Sequence, residues 1–489
     1  MFGEENKDGR KRLLLPTVKK LIGHYMKLIP VYTWNKSVVN LETRGRKFSK
    51  QPWAQGVILI SFVVIAMLLA NLPWTKDAYH EILETGLSIN VSHPGGTTIT
   101  FPREMTVEKF INDILMVVFF FTVGLEIKRE ITNGELSSPK KAIMPVIAAF
   151  GGVAAPALIY TLINHGTASG SGWGIPTATD IAFAVGILAI LGNKVPVSLK
   201  VFLTALAIAD DLIAILVVAL FYGGSINLAL LGLAVVLILL ILLMNKLGEK
   251  RPWFYFIPAI AVWVLFYYSG VHATMSGVVM AFLVPFTPRY SKEYYRHKKE
   301  IYSRKLEEYD SIEEECGFPN GPQRHVLRQI STTAKNSIGM SYRLEHALSP
   351  WVNFVIMPIF ALANAGVTIP SLEYFNIFKF SPELGSVSLG IVAGLVLGKP
   401  LGITLASFLA VKTKVGAMPA KATWPMLFAV ACLGGIGFTM SIFVDTLSFS
   451  DYPEHAATLR DMGKVAVLMG SLIAALLGIF LVNIVRKKG

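Results

Sequence analysis

Apolar residues run through this chain in blocks about as long as a helix needs to cross a bilayer, which takes about 20 residues. Residues 51–75, 226–245, 252–288, 347–372, 422–444 and 465–485 hold no Asp, Glu, Lys or Arg. With the less uniform runs between them, the pattern predicts twelve spanning helices. They lie near 53–73, 107–128, 142–164, 172–192, 198–222, 226–245, 252–269, 270–287, 350–369, 386–411, 424–446 and 463–485. Trp53, Trp74, Trp173, Trp253, Trp351 and Trp424 fall at span ends, the pattern of an interfacial aromatic belt. The expected fold class is an all-α integral membrane protein.

Three polar stretches interrupt the pattern. Residues 1–50 form a basic extension, and its run "LLLPTVKKLIGHYMKLIPVYTW" reads as an amphipathic helix lying on the membrane surface. The apolar core "LLLP" is too short for a cleavable signal peptide, and basic residues continue to Lys50. Residues 86–102, "GLSINVSHPGGTTITFP", place two alternating runs around a Pro-Gly-Gly turn and predict an extracytoplasmic β-hairpin. An exposed edge of that hairpin offers a pairing surface for a second copy, and so a homodimer. Residues 289–348 form a hydrophilic connection, with helical charge pairs in "IYSRKLEEYDSIEEE" and a break at "CGFPNGP". The chain thus divides into 1–50, spans one to eight over 51–288, the connection 289–348, and the last four spans with a short basic tail over 349–489.

Composition agrees with the pattern. Of 489 residues 53 % are hydrophobic and 16 % charged, against about 25 % charged in soluble proteins. The net charge of +13 raises nucleic acid as a partner, but its distribution points to topology. The first 50 residues carry 12 Lys and Arg, and the 289–348 connection carries 11. Alternate connections carry few or none, which places both termini in the cytoplasm by the positive-inside rule. The basic excess then meets lipid, with no nucleic-acid partner. Cys316 lies in a polar connection and Cys432 in an apolar run, so no disulfide is expected.

The chemistry is concentrated in six ionisable residues inside or near spans: Asp113, Glu126, Asp180, Asp210, Asp211 and Lys399. A charge inside the bilayer marks a functional site by default, the alternative being a buried ion pair that only joins helices. Asp180 follows Pro176, Thr177 and Thr179, residues that disturb a helix ladder. Gly434, Gly435 and Gly437 lie at a similar depth in the span near 424–446. Two interrupted spans point to a transporter's binding site, while close helix packing is the plainer reading of the glycines. Broken helices expose charged ends, which Asp180 and Lys399 have the signs to balance. The adjacent Asp210 and Asp211 would titrate as a coupled pair and offer hard oxygen ligands to a small cation. Protons and a cation then compete for the same oxygens.

At this point the chain resembles the NhaA-type Na+/H+ antiporters. The matching runs are "FFFTVGLEIKRE" (119–130), "IPTATDIAFAVGILAILG" (175–192), "VFLTALAIADDLIAI" (201–215), "SGVHATMSG" (269–277), "RLEHALSPW" (343–351), "GLVLGKPLGI" (394–403) and "CLGGIGFTMSIF" (432–443). The resemblance implies twelve helices with inverted repeats and two interrupted helices crossing at mid-membrane. It implies a multi-pass protein of the bacterial inner membrane, not an enzyme and without a cofactor, exchanging Na+ or Li+ for protons electrogenically and switched on at alkaline pH. Asp211 would be the firmest ion ligand, with Asp210 beside it and paired with Lys399. Asp180 and Thr179 would serve the helix ends and the ion site. The pH response would sit on Glu126, Arg129, Glu130, Arg343, Glu345 and His346, for which an ordinary solvated helix end is the alternative. Tyr342 and Ser349 depart from the family's usual basic residues there, which bears on the pH set-point. His272 reads as a packed, hydrogen-bonded histidine, and Asp113 as interfacial.

Three rivals remain. An intramembrane aspartic protease would pair Asp180 with Asp211, but the contexts TATD and ADD lack the flexible glycine such a site uses. A cation channel also accommodates broken helices. A sodium-coupled symporter of an organic anion would need further polar ligands for its substrate.

Overall fold

The computed structural model describes residues 51–489 apart from 52, 93–97, 102–104, 225, 311–318, 320, 370–371, 379, 382–383, 450–452 and 489. The surface helix expected within residues 1–50, the Pro-Gly-Gly turn and part of the "CGFPNGP" break lie outside the described residues. The chain divides into two compact units. The described part of one is Pro288–Ile338, and the other holds Gln51–Thr287 and Gly339–Gly489.

The larger unit opens with α1 (Ala54–Asn71) and the short α2 (Lys76–Glu84). β1 (Ile89–Ser92) then pairs antiparallel with β2 (Thr98–Phe101), Ile89 opposite Phe101 and Ser92 opposite Thr98. α3 (Val107–Asn133) and α4 (Pro139–Ile163) follow. A 3-10 helix at Ala168–Thr177 leads to α5 (Ile181–Leu191), then α6 (Val197–Phe221), α7 (Leu228–Lys246), α8 (Trp253–Ser269) and α9 (Met275–Leu283). In the smaller unit, α10 (Lys292–Asp310) and α11 (Gly321–Asn336) are joined where Arg289 and Tyr290 donate backbone hydrogen bonds to the Asn336 carbonyl. The chain then returns through α12 (Met340–Asn364) and α13 (Val387–Lys412). It closes with α14 (Trp424–Gly434), α15 (Phe438–Ser448) and α16 (Pro453–Lys488). Residues 340–348, placed by sequence in the connection, are the first turns of α12.

Among the described residues eight helices are long and apolar enough to cross a membrane: α1, α3, α4, α6, α7, α12, α13 and α16. Two bent pairs raise the number to ten. The protein is therefore a multi-pass membrane protein. The other two of the twelve expected spans are shorter than predicted, at 17 residues for α8 and 9 for α9. The chain itself supplies the reason. Gly270 ends α8 in the left-handed region, at φ +85°, where only glycine sits without strain. Val284 ends α9 in an extended conformation, as the residue before Pro285 must.

Burial sorts the helices. In α7 only 11 % of the apolar window is buried, so its leucines present an all-round apolar surface suited to lipid. Asn227 starts that helix by accepting hydrogen bonds from the Ala229 and Leu230 amides. In α6, which carries the paired aspartates, the buried share is 67 %, which makes it a central helix. Beside it α4 and α13 cross with backbones in contact. A Cβ at Gly151 would lie 2.3 Å from the Gly402 carbonyl oxygen, and one at Gly402 would lie 2.1 Å from that of Gly151. Small residues permit this approach where lipid gives helices no hydrophobic drive to associate.

Three spanning helices contain a π turn, at Ile111–Leu115 in α3, Val352–Ile356 in α12 and Gly394–Gly398 in α13. The last ends directly before Lys399. The aromatic belt holds in part: Trp53, Trp74, Trp253 and Trp351 are exposed. Trp173 instead packs against Phe221 and Tyr222, and Trp424 against Phe408.

Candidate functional site

Both expected breaks are present. The Ala168–Thr177 helix bends by 41° into the segment Ile181–Lys194, and α14 bends by 49° into α15. The two breaks touch. Asp180 donates its backbone N–H to the Ile436 carbonyl at 2.6 Å, and the Thr179 hydroxyl donates to the Gly434 carbonyl at 2.8 Å. The glycines at 434–437 therefore do more than ease packing, since their chain exposes carbonyls that the other break uses.

Asp180 caps two helices at once. Its Oδ1 accepts from the Phe183 amide in the first turn of α5, at 3.2 Å. Its Oδ2 accepts from the Thr439 amide in the first turn of α15, also at 3.2 Å, and from the Thr439 hydroxyl. Four backbone N–H groups at a helix N-terminus have no partner of their own, and the end carries partial positive charge. One carboxylate here meets two such ends. Thr439 lies within "CLGGIGFTMSIF", but nothing in its spacing announces this contact.

Lys399 comes from α13 on the other side of the break. Its Nζ donates to the Thr179 hydroxyl at 2.7 Å and forms an ion pair with Asp210 Oδ2. Thr179 thus links the lysine to the carbonyl end of α14. Lys399, Thr179 and Asp210 are all fully buried, and Asp180 and Asp211 are 3 % exposed. Asp210 and Asp211 differ in occupation. Asp210 is held through one oxygen by Lys399, while its Oδ1 and Asp211 Oδ1 meet no hydrogen-bond partner among the described residues. The charges of Asp210, Asp180, Lys399 and Glu126 all reach Asp211. Among the described residues no three His, Cys, Asp or Glu side chains converge as a metal cage. A cation at the pair would complete its shell with hydroxyl, carbonyl or water oxygens, which suits a small hard ion.

A second group of charges joins α3 to α12. Arg129 pairs with Glu345 across the two helices, with Glu130 at 3.0 Å and with Glu126 at 3.7 Å. Glu345 is 5 % exposed, whereas the Arg129 and Glu126 side chains are 31 % and 36 % exposed, so the group runs from the interior to the helix surface. His346 lies edge-on against the Tyr342 ring. Arg343 stands two residues before Glu345 on the same helix. Lys128, not singled out from sequence, donates to the Phe282 and Val284 carbonyls and so caps the end of α9.

Other predicted residues lie apart from the centre. The backbone carbonyl of Asp113 accepts from the Trp263 indole, and His272 bonds through Nε2 to the Tyr222 carbonyl at 2.6 Å. Cys432 is a buried free thiol. One buried carboxylate went unnoticed in the sequence. Asp445, fully buried near the end of α15, faces α16 with Lys464 and Arg460 as its nearest cations.

Comparison with known proteins bears on what this arrangement is. Residues 46–482 match the family model described as Na+/H+ antiporter 1. A Na+/H+ antiporter NhaA of Acidithiobacillus ferrooxidans is 40 % identical over 445 residues, covering 91 % of this chain and 98 % of that protein. The NhaA of Sulfurimonas denitrificans is 40 % identical over 456 residues, with 93 % and 98 % covered. That of Pelagibacter ubique is 39 % identical over 452 residues, with 92 % and 100 % covered.

Proposed function

The chain belongs to the Na+/H+ antiporter 1 family, and from that membership we propose that it exports Na+ or Li+ from the bacterial cytoplasm in exchange for protons at the Asp210–Asp211 pair. The single observation that carries this reading is the unequal burial partnership of the pair. Each keeps one oxygen without a partner beside the crossing of two broken spans, but only Asp210 is tied to a cation, Lys399.

The mechanism follows from competition. With the site open to the cytoplasm, a cation binds Asp211 and draws in Asp210, which releases Lys399. As the cation arrives, Asp211 loses its proton and the freed Lys399 loses one as well. After the site reopens outward, protons return to Asp211 and Lys399, the cation leaves, and Lys399 pairs with Asp210 again. More protons enter than sodium ions leave, so each cycle moves net positive charge inward. Asp180 and Thr179 hold the two breaks at fixed positions around the pair. Twelve spans arranged as inverted repeats, with α8 and α9 as the two short ones and both termini cytoplasmic, complete the reading. The homodimer expected through residues 86–102 gains no support from the single chain.

The test is cation-induced collapse of a pH gradient in everted membrane vesicles. Na+ and Li+ are each expected to dissipate the gradient, and the rate to change when the membrane potential is clamped. Absence of any response to either ion, from neutral to alkaline pH, would sink exchange and favour the channel or symport reading.

Regulation by pH is proposed to rest on Glu126, Arg129, Glu130 and Glu345, with Arg343 and His346 beside them. Glu345→Gln removes one of three acids around Arg129. With one negative charge fewer in the group, transport is expected to switch on at a pH lower by about one unit. Its maximal rate should be retained. A full pH profile of the gradient collapse measures this, and an unchanged profile would remove Glu345 from the response.

A further inference from the structure

We propose that Asp445 and the buried polar stripe of α15 form the outward leg of the proton's route, with Asp445 as the relay that takes up protons from the extracytoplasmic side. This rests on the exchange reading and on the orientation that Lys and Arg give the chain.

The stripe is a matter of spacing. Ser441, Asp445 and Ser448 stand at i, i+4 and i+7, which puts them on one face of α15. All three are buried, at 0 %, 0 % and 2 % exposure. The stripe begins at the break, because Ser441 Oγ lies where a Cβ on Gly437 would strike it. Thr439, which bonds Asp180, is on the opposite face of the same helix. Asp445 lies four residues beyond Ser441, about 6 Å along the axis at 1.5 Å per residue. Ser441 donates its hydroxyl to the Ile175 carbonyl, which leaves its lone pairs free to accept.

Asp445 does not look like a structural ion pair. Neither of its oxygens meets a hydrogen-bond donor among the described residues, and the same is true of Arg460 Nε. The groups facing it are Lys464, Arg460 and Asp461 on α16, Tyr160 on α4 and Tyr222 at the end of α6. Two cations thus lie near enough to moderate a buried charge without locking it, in contrast to Asp210 with Lys399. Room for the carboxylate is made by Gly463, where a Cβ would fall 1.9 Å from Asp445 Oδ1. A buried carboxylate with no donor is expensive as an anion, so its natural use is to hold a proton in transit.

The step balances simply. Asp445 takes a proton from extracytoplasmic water and passes it inward, through the Ser441 hydroxyl and water, to a central aspartate that the cation is leaving. Asp445 ends as the carboxylate it began as, the central aspartate gains one proton, and nothing is oxidised or reduced.

Proteoliposomes with controlled pH on each side separate this role from a structural one. Sodium-for-proton exchange is compared with exchange of radioactive for unlabelled sodium, which moves no protons. For Asp445→Asn, sodium–proton exchange should fall roughly tenfold or more, with its dependence on external pH altered. Sodium–sodium exchange should stay within about twofold of wild type. Asp445→Glu should recover part of the loss. Gly463→Ala, which places a methyl where Oδ1 lies, should reproduce the split. Equal loss of both exchanges would assign Asp445 a structural role and overturn the proposal. So would an unchanged sodium–proton rate, or an altered dependence on cytoplasmic pH alone. A wild-type protein that moves no protons against sodium would sink the exchange reading, and this inference with it.

Discussion

Asp211→Asn is expected to abolish cation-driven proton movement with Na+ and with Li+ at every pH. Asparagine keeps the size of the side chain and offers a carbonyl oxygen, so the helix and its packing should persist. What is lost is a charge that a cation needs and a proton can cancel. Asp210 alone cannot take over, because Lys399 balances its charge until a cation at Asp211 releases the lysine. Removing one partner of a buried charge pair costs about 3–5 kcal/mol. That is a factor of roughly 100 or more in cation affinity. Gradient collapse in everted vesicles reads the loss, and elution of the purified variant as a single species shows that folding is intact. A variant that collapses the gradient at the wild-type rate would place the ion site elsewhere.

Asp180→Ala is expected to damage the fold before it damages transport. The substitution leaves the Phe183 amide, the Thr439 amide and the Thr439 hydroxyl without their acceptor. Both Thr439 donors are buried and the Phe183 amide is partly so. Each buried donor left unmet costs about 1–3 kcal/mol, and the lost caps act on two helices together. A loss of about 3 kcal/mol or more is therefore expected. Asp180→Asn should be milder, since its single amide oxygen still accepts at one helix end, although its NH2 group then faces donors at the other. Thermal unfolding followed in detergent distinguishes the two. Equal stability of the alanine and asparagine variants would show that charge, and not acceptance of hydrogen bonds, is what Asp180 contributes.

Much of this was legible in the sequence for definite reasons. Spans show because hydrocarbon tolerates few charges, and the central residues show because they break that rule. Asp180, Asp210, Asp211 and Lys399 stand out against long apolar runs, and the structure brings Asp180, Thr179, Asp210 and Lys399 into one connected set. The unequal partnership of Asp210 and Asp211 depends on which face each residue takes, which apolar counting does not reach. Thr439 is invisible for the same reason, a common residue whose role comes from a contact 259 residues away in the chain. Asp445 was overlooked because the apolar run ends at Val444, so it read as a span-end residue, whereas α15 continues to Ser448. Arg460 read as loop, but α16 begins at Pro453 and carries it on helix. The first half of the broken span, "ASGSGWGIPT", starts earlier than predicted because a 3-10 helix rich in Gly and Ser lacks an apolar signature.

The crossing of the two breaks has a mechanical consequence. Asp180 to Ile436, Thr179 to Gly434 and Thr439 to Asp180 fasten the two broken spans like rivets through a joint. To pull them apart would open every one of these buried bonds at once. Any large motion of the protein is cheaper if the riveted joint travels whole and the slip occurs at surfaces held by dispersion alone. The breaks then behave as the stiffest part of the machine, although each is made of interrupted helix.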